Sequence, residues 1–275
     1  MTGFGRRGVL GLAGCLVASV LVLAGAMPAA AGTAQDVTVD LSSVFNQDAV
    51  YTPGTPTKGG TSLDTKGSGF GAASWPTTGT LTTSTFTSAS GSAVTGSAAT
   101  FHLPPASNTA FNAVINAGQT IAVPPGHYSE IYFLGAATWG PVSTALALGY
   151  KDGTTSQVPV TWPDWWGPGD PATAVIKGTA TNGTQPIGLY AFSYPVDPAH
   201  TLQSVKLPGT LPTHNGGPAA LHVFAISLEP AAVQASASAP SSLPKTGMPL
   251  WTPLGAALSL ATGLLLVRRR SAARR

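Results

Sequence analysis

The sequence predicts an all-β protein, an antiparallel β-sandwich or jelly roll folded as one domain. Three observations lead there. Between about Gln35 and Pro230 helical periodicity is hard to find, while alternation of apolar and polar residues is frequent. The same stretch is rich in Gly, Pro, Ser and Thr, so its short runs are repeatedly broken by turn residues. Setting aside the apolar ends leaves the 215 residues from 32 to 246, enough for one core and a short tail but not for two.

Each strand has its own pattern. Val37, Val39 and Leu41 share one face of a first strand whose other face carries Thr38 and Asp40. The stretch Gly79 to Ala99, almost pure Thr, Ser, Gly and Ala, has the weakest pattern, and a loop insertion is expected there. Leu146, Leu148 and Tyr150 alternate up to Asp152-Gly153, a favoured hairpin turn, and Val158, Val160 and Trp162 alternate after it. That predicts a hairpin with one buried face. Ile187, Leu189 and Ala191 interleave with Tyr190, Phe192 and Tyr194, which predicts a strand buried on both sides. Leu221 to Leu228 reads as the last apolar strand and closes the domain, 35–230, at Glu229-Pro230.

The ends read as targeting signals. Arg6-Arg7, an apolar run and Pro28-Ala29-Ala30-Ala31 have the layout of a secretory signal peptide over 1–31, cut after Ala31. Leu12-Ala13-Gly14-Cys15 has the form of a bacterial lipobox, but the apolar run continues past Cys15 instead of ending there. The Arg6-Arg7 pair also permits twin-arginine export; Sec export is the expectation. At the other end an Ala/Ser/Pro linker, 231–242, leads to Leu243-Pro244-Lys245-Thr246-Gly247. An apolar stretch, 248–267, follows, long enough to cross the hydrocarbon layer as a helix. The basic tail, 268–275, would hold its end in the cytoplasm.

Pentapeptide, span and basic tail in this order resemble the cell-wall sorting signal of Gram-positive surface proteins, L-P-x-T-G, at all four fixed positions. The resemblance implies a reaction performed on this chain. A sortase cysteine would attack the carbonyl of Thr246, form a thioester and release Gly247 onward. An amine of a peptidoglycan precursor would then resolve the thioester. Pro244 suits a presented substrate, because its fixed φ and missing N–H keep the segment out of a helix.

Charge excludes some functions. The chain carries 13 basic and 10 acidic residues, yet all seven arginines lie in the end segments and all ten acids between them. The piece 32–246 keeps six lysines, for a net charge of −4. A nucleic-acid partner is therefore not expected. The single cysteine, Cys15, falls in the signal segment, which removes disulfides, thiol nucleophiles and zinc-cysteine sites from the mature chain.

A second resemblance covers nearly the whole middle. Asp40-Leu41-Ser42-Ser43-Val44-Phe45-Asn46, Thr100-Phe101 with Leu103-Pro104, and Asn112-Ala113-Val114 begin the series. Gly118-Gln119-Thr120-Ile121, Phe133-Leu134-Gly135-Ala136-Ala137 and Tyr150-Lys151-Asp152-Gly153-Thr154 continue it. Asp164-Trp165-Trp166 and Leu221-His222-Val223-Phe224-Ala225 complete it. Together they resemble the galactose-binding-domain-like β-sandwich modules of secreted actinobacterial glycoside hydrolases and other surface proteins. That implies the fold more than a ligand, and no binding residue is carried over.

Four of the six tryptophans (Trp139, Trp162, Trp165, Trp166) fall between 139 and 166, beside Asp164. A sugar ring offers an apolar C–H face and a hydroxyl rim, which a flat aromatic surface and a few oriented polar groups can bind. Trp162 shares the parity of Val158 and Val160 and belongs to the core. Trp165 and Trp166 follow Pro163 at a loop where one ring can face solvent. Trp139, Asp164, Trp165 and Trp166 are thus the candidate carbohydrate site, although buried aromatics are common enough that all four tryptophans could be packing residues.

Catalysis is not expected. The carboxylates are scattered, the five histidines lack metal-ligand spacing, and Gly67-Ser68-Gly69 lacks the setting of a nucleophile elbow. Of the histidines, His222 is expected in the core, whereas His102, His127, His200 and His214 have no partners identifiable from sequence. No cofactor or metal is expected either. The sequence therefore points to an exported surface protein whose partners are sortase, the membrane before sorting, peptidoglycan as covalent acceptor, and a carbohydrate or other surface ligand. The alternatives are an adhesion or structural module acting through protein contacts, or a secreted glycoside hydrolase.

Overall fold

The computed structural model describes residues 35–64, 66–167, 173–183 and 185–232. The signal segment 1–31, the sorting pentapeptide 243–247, the apolar span 248–267 and the tail 268–275 lie outside the described residues, as does the linker beyond 232. Among the described residues no helix is long and apolar enough to cross a membrane.

The first eight strands are β1 Val37–Thr38, β2 Val50–Tyr51, β3 Phe70–Gly71, β4 Thr80–Thr87, β5 Ala93–His102, β6 Val114–Ile115, β7 Thr120–Gly126 and β8 Tyr128–Thr138. The rest are β9 Val142–Tyr150, β10 Thr155–Trp162, β11 Ala174–Thr179, β12 Pro186–Pro195, β13 Leu202–Lys206, β14 Thr213–His214, β15 Gly217–Pro218 and β16 Ala220–Pro230. Helical structure among these residues is limited to two 3₁₀ turns, Lys58–Gly60 and Ala72–Ser74.

The long apolar strands form one sheet in the order β1-β16-β8-β12-β11, with β6 also pairing β16. A four-stranded sheet, β10-β9-β13-β7, packs across one of its faces. In the small sheet burial alternates, as in β7, where Ile121 and Val123 are buried between exposed neighbours. In β8, β12 and β16 it does not alternate: each is buried almost continuously, as strands covered on both faces must be.

Two aromatic clusters show what covers each face. On one side Trp162 of β10 stacks on Phe192 of β12 at 4.6 Å and 4°, and lies 5.9 Å from Phe133 of β8. Its Nε1–H donates to Tyr194 Oη at 2.9 Å, so the fully buried indole leaves no polar atom unpaired. Gly135 of β8 lies beneath it, where a Cβ would collide with the indole. On the other side Phe86 of β4 stacks on Tyr132 of β8 at 5.2 Å and 17°. The hairpin β4–β5 packs on β12 and β16. The central sheet therefore lies between the small sheet and this ribbon.

That ribbon corrects one expectation. The stretch Gly79 to Ala99 is no loop insertion but most of a β-hairpin. Its pattern was hidden because threonine stands on both faces: Thr80 and Thr82 face solvent, while Leu81, Thr83 and Thr85 turn partly inward. β-Branched threonine favours the extended backbone without marking the buried side. The outer hydroxyls of cross-strand partners Thr82 and Thr100 are 3.0 Å apart, and Gly91 at φ 83° closes the turn. The first strand is also shorter than its alternation suggests. It ends at Thr38, although Val39 and Leu41 are still buried and Val39 N–H donates to Ile226 O at 3.0 Å.

The hairpin around Asp152-Gly153 forms as the sequence predicts. Gly153 takes φ 85°, and Asp152 Oδ1 accepts from Thr154 N–H at 2.9 Å and from its hydroxyl at 2.6 Å. The Thr154 donors hold the exposed Asp152 carboxyl down at about 2. His200 Nδ1, 2.6 Å from Asp152 Oδ2, ties this turn to the segment before β13.

His222 is a core histidine with both ring nitrogens used. Gln47 Nε2–H donates to Ser62 O and Leu63 O, so its Oε1 must accept from His222 Nδ1–H at 2.6 Å. His222 Nε2 then accepts from the Thr138 hydroxyl at 3.0 Å. Nearby, buried Asn112 bridges the β2 segment with all four of its hydrogen-bonding positions. Its Oδ1 accepts from Ala49 and Val50 N–H, and its Nδ2 donates to Asp48 Oδ1 and Val50 O. These two networks pin the irregular segment between β1 and β3 to the central sheet.

The residues from 35 to 232 form one compact unit with its own core, and the piece 35–232 is expected to fold by itself. If β4–β5 is a true cover, Phe86→Ala costs about 3–5 kcal/mol in urea unfolding, as Trp162→Ala does; an appended loop would give a silent Phe86 variant. Burial lowers the His222 imidazole to about 3, from an ordinary value of 6.5. The ring is neutral in the native state and gains a proton on unfolding below that ordinary value. Its contribution is complete above pH 6.5 and disappears as pH falls toward 3. The stability difference between wild type and His222→Asn should therefore narrow steadily from about pH 7 to about pH 4; a constant difference would contradict the neutral buried ring.

Candidate functional site

The four candidate residues lie where the chain passes between sheets. β8 ends at Thr138 in the central sheet and β9 begins at Val142 in the small one, so Trp139, Gly140 and Pro141 make the crossing. β10 ends at Trp162, and the chain returns to the central sheet through Asp164–Trp166. The hairpin register, with Val142 opposite Trp162, sets the two crossings side by side.

The returning segment is inserted into the central sheet. β8 and β12 pair as far as Gly135 opposite Tyr190, then separate. Residues 163–167 enter the gap with backbone bonds to both: Ala137 N–H donates to Pro163 O, and Trp165 N–H to Ala137 O, each at 2.9 Å. On the other side Gly188 N–H donates to Trp165 O at 3.0 Å and Gly167 N–H to Pro186 O at 3.1 Å. A short extended piece held this way presents its side chains from sheet, not from loop. Trp165 is 1% exposed and packs edge-on against Trp166, with 5.4 Å between centroids, while Trp166 is 38% exposed.

Asp164 holds the other crossing. Its Oδ2 accepts from Gly140 N–H at 2.6 Å and its Oδ1 from Trp166 N–H at 2.9 Å. Burial pushes this carboxyl above the usual range, against the pull of the two backbone donors. From the far side His214 Nδ1–H donates to Trp139 O at 2.7 Å, and Asn215 Nδ2–H to Gly140 O at 2.6 Å. These three side chains fix Trp139 at φ 56°, a left-handed backbone that side-chain-bearing residues seldom adopt. The Trp139 ring lies against Gly217 of β15, where a Cβ would overlap it, and its buried Nε1–H has no acceptor among the described residues. A strained backbone and an orphaned donor on one residue persist only where the surroundings over-determine them.

Trp139, Asp164, Trp165 and Trp166 line a single pocket of about 300 Å³, with Thr138 and three residues that sequence reasoning missed: Asp64, Lys66 and Asn182. Lys66 Nζ sits 4.7 Å from the centroid of the Trp139 ring. Asp64 Oδ1 accepts from Lys66 N–H at 2.9 Å and from Ser68 N–H at 2.8 Å, which shapes the loop carrying the lysine. The pocket is therefore lined by three indoles, two carboxylates and an amide, with a lysine over one ring. Trp162, expected in the core, is outside it and fully buried. Nothing in the sequence joins residue 64 or 182 to residue 139. Among the described residues no group of histidine, cysteine and carboxylate side chains is arranged to hold a metal ion.

A family model described as the AziU2-like beta-sandwich domain matches residues 35–192. The match contains every candidate pocket residue and stops inside β12; β16, which pairs with the other edge of β8, lies beyond it. No curated protein matches the chain. With more than half its length covered and a β-sandwich observed, the chain belongs to the family of AziU2-like β-sandwich domains.

Proposed function

We propose that this chain is an exported surface protein which sortase joins to peptidoglycan at Thr246, and that its β-sandwich is a non-catalytic module binding carbohydrate in the tryptophan pocket. The single observation behind the binding half is the convergence of Trp139, Asp164, Trp165 and Trp166, at two separate sheet crossings, on one pocket. Its size suits one or two sugar rings, and partly exposed Trp166 offers a face for stacking. Asp64 and Asn182 can orient hydroxyls at the rim. The module is read as non-catalytic because both Asp164 oxygens are engaged by backbone N–H groups, which suits a positioning role better than proton transfer. The galactose-binding-like resemblance adds a sugar-binding precedent at the level of fold only.

The anchoring half rests on Leu243-Pro244-Lys245-Thr246-Gly247 placed before an apolar span and a basic tail. Mass spectrometry of wall digests should find Thr246 amide-linked to a wall peptide, and cells lacking sortase should retain the uncut chain in the membrane fraction. The same mass in both strains would refute anchoring. For the binding half, the compact unit 35–232 on a glycan array should retain a defined set of sugars. Trp166→Ala, a partly exposed substitution, should weaken that binding at least about tenfold by removing a stacking face worth roughly 1–2 kcal/mol. Unchanged binding would place the ligand elsewhere.

A further inference from the structure

The pocket already contains a cation belonging to the chain. Lys66 Nζ lies over the Trp139 ring, although the same pocket is lined by the Asp64 and Asp164 carboxylates. Among the described residues the ion pairs all involve His200, so Lys66 contacts the indole face without pairing to either acid. An indole face is the best aromatic surface for an ammonium group, and here three tryptophans line one pocket.

We propose that this pocket recognises an alkylammonium group, and that Lys66 stands in for that group in this structure. The inference rests on the ligand-binding reading of the pocket above and names the chemistry its ligand carries. Three features support it. With Lys66 counted, the two carboxylates leave the lining one negative charge in excess; with Lys66 swung away, two. Only the backbone of Lys66 is fixed, through its N–H to Asp64 Oδ1; its exposed stem ends in a contact that rotation can break. Asp64 Oδ2 has no hydrogen bond from any described residue and can accept N–H from an incoming ammonium. A neutral ring entering here would displace a cation from Trp139 without replacing its charge. A ligand bearing an ammonium recovers that contact, and this difference sets the preference.

Such a group could come from an amino sugar or from a quaternary ammonium compound, and the test separates the two. The compact unit 35–232 is titrated by calorimetry with a glucosamine tetramer at a pH where its amines are protonated, with its N-acetylated counterpart, and with tetramethylammonium chloride. The protonated tetramer should bind about tenfold more tightly than the N-acetylated one. Lys66→Met should tighten it severalfold by removing the resident cation, and Asp64→Asn should weaken it. Trp139→Ala should abolish binding of both cations. Because Trp139 is wedged against Gly217, Trp166→Ala serves as the variant that does not depend on refolding of that contact. Equal affinity for the protonated and acetylated tetramers would overturn the alkylammonium assignment and leave carbohydrate binding standing. Binding of tetramethylammonium without either tetramer would support the assignment and overturn carbohydrate as the ligand. If neither cation binds, or if Lys66→Met weakens binding, the assignment is wrong.

Discussion

The architecture depends on one constraint: the central strands are apolar on both faces. β8, β12 and β16 are buried almost from end to end, so the sheet they form cannot present either surface to water. Burial of apolar area at roughly 25 cal/mol per Å² makes exposure of either face prohibitive for a protein of ordinary stability. Two covers are therefore required. The small sheet supplies one, seated by Trp162 on Phe192, and the β4–β5 ribbon supplies the other, seated by Phe86 on Tyr132. With so few charges in the folded unit, cohesion rests on this packing and on paired polar groups such as Asn112 and His222.

What the sequence made legible follows from which residues report their own burial. The hairpin around Asp152-Gly153 was legible because Leu146, Leu148, Val160 and Trp162 alternate with small, polar or proline neighbours. The strand from Ile187 was legible as buried twice because apolar and aromatic residues occupy both faces from Ile187 to Phe192. The ribbon was not, because threonine serves on both of its faces and hydropathy sees no difference between them. Nor were the partners of His200 and His214. His214 meets the Trp139 carbonyl 75 positions away, through a backbone acceptor that no motif marks.

The hairpin also explains why tryptophans that are clustered in the sequence fall in one site. The observed register has Val142 opposite Trp162; carried two residues further it places Gly140 opposite Asp164, and the structure joins them through N–H and Oδ2. Two groups of tryptophans that look merely clustered in sequence are thus consequences of one register. The remaining lining, Asp64, Lys66 and Asn182, arrives from loops with no such counting rule. The segment carrying Lys66 is tied down beside the pocket by Gly69 N–H bonding to the Thr181 hydroxyl, Thr181 N–H to Gly69 O, and Tyr51 Oη to Gly67 O.

Residue type and residue role separate most clearly at the two acids. Asp164 draws attention in the sequence as the carboxylate beside two tryptophans, yet both of its oxygens hold backbone N–H groups, and its work is to fix the angle between the crossings. Asp64 has no aromatic neighbour in sequence, but it lines the pocket, uses one oxygen for its own loop and has no bond to the other from any described residue. A rigid acid that builds the wall and a second acid with a spare acceptor are complementary. The first keeps Trp139 in a backbone conformation it would not otherwise hold; under the proposed function the second would answer a ligand. Under the proposed function, preorganisation of this kind would lower the entropic cost of binding, because the indoles would already be ordered. The strain at Trp139 is then a cost incurred in folding, where the two-sided burial of the central sheet can bear it.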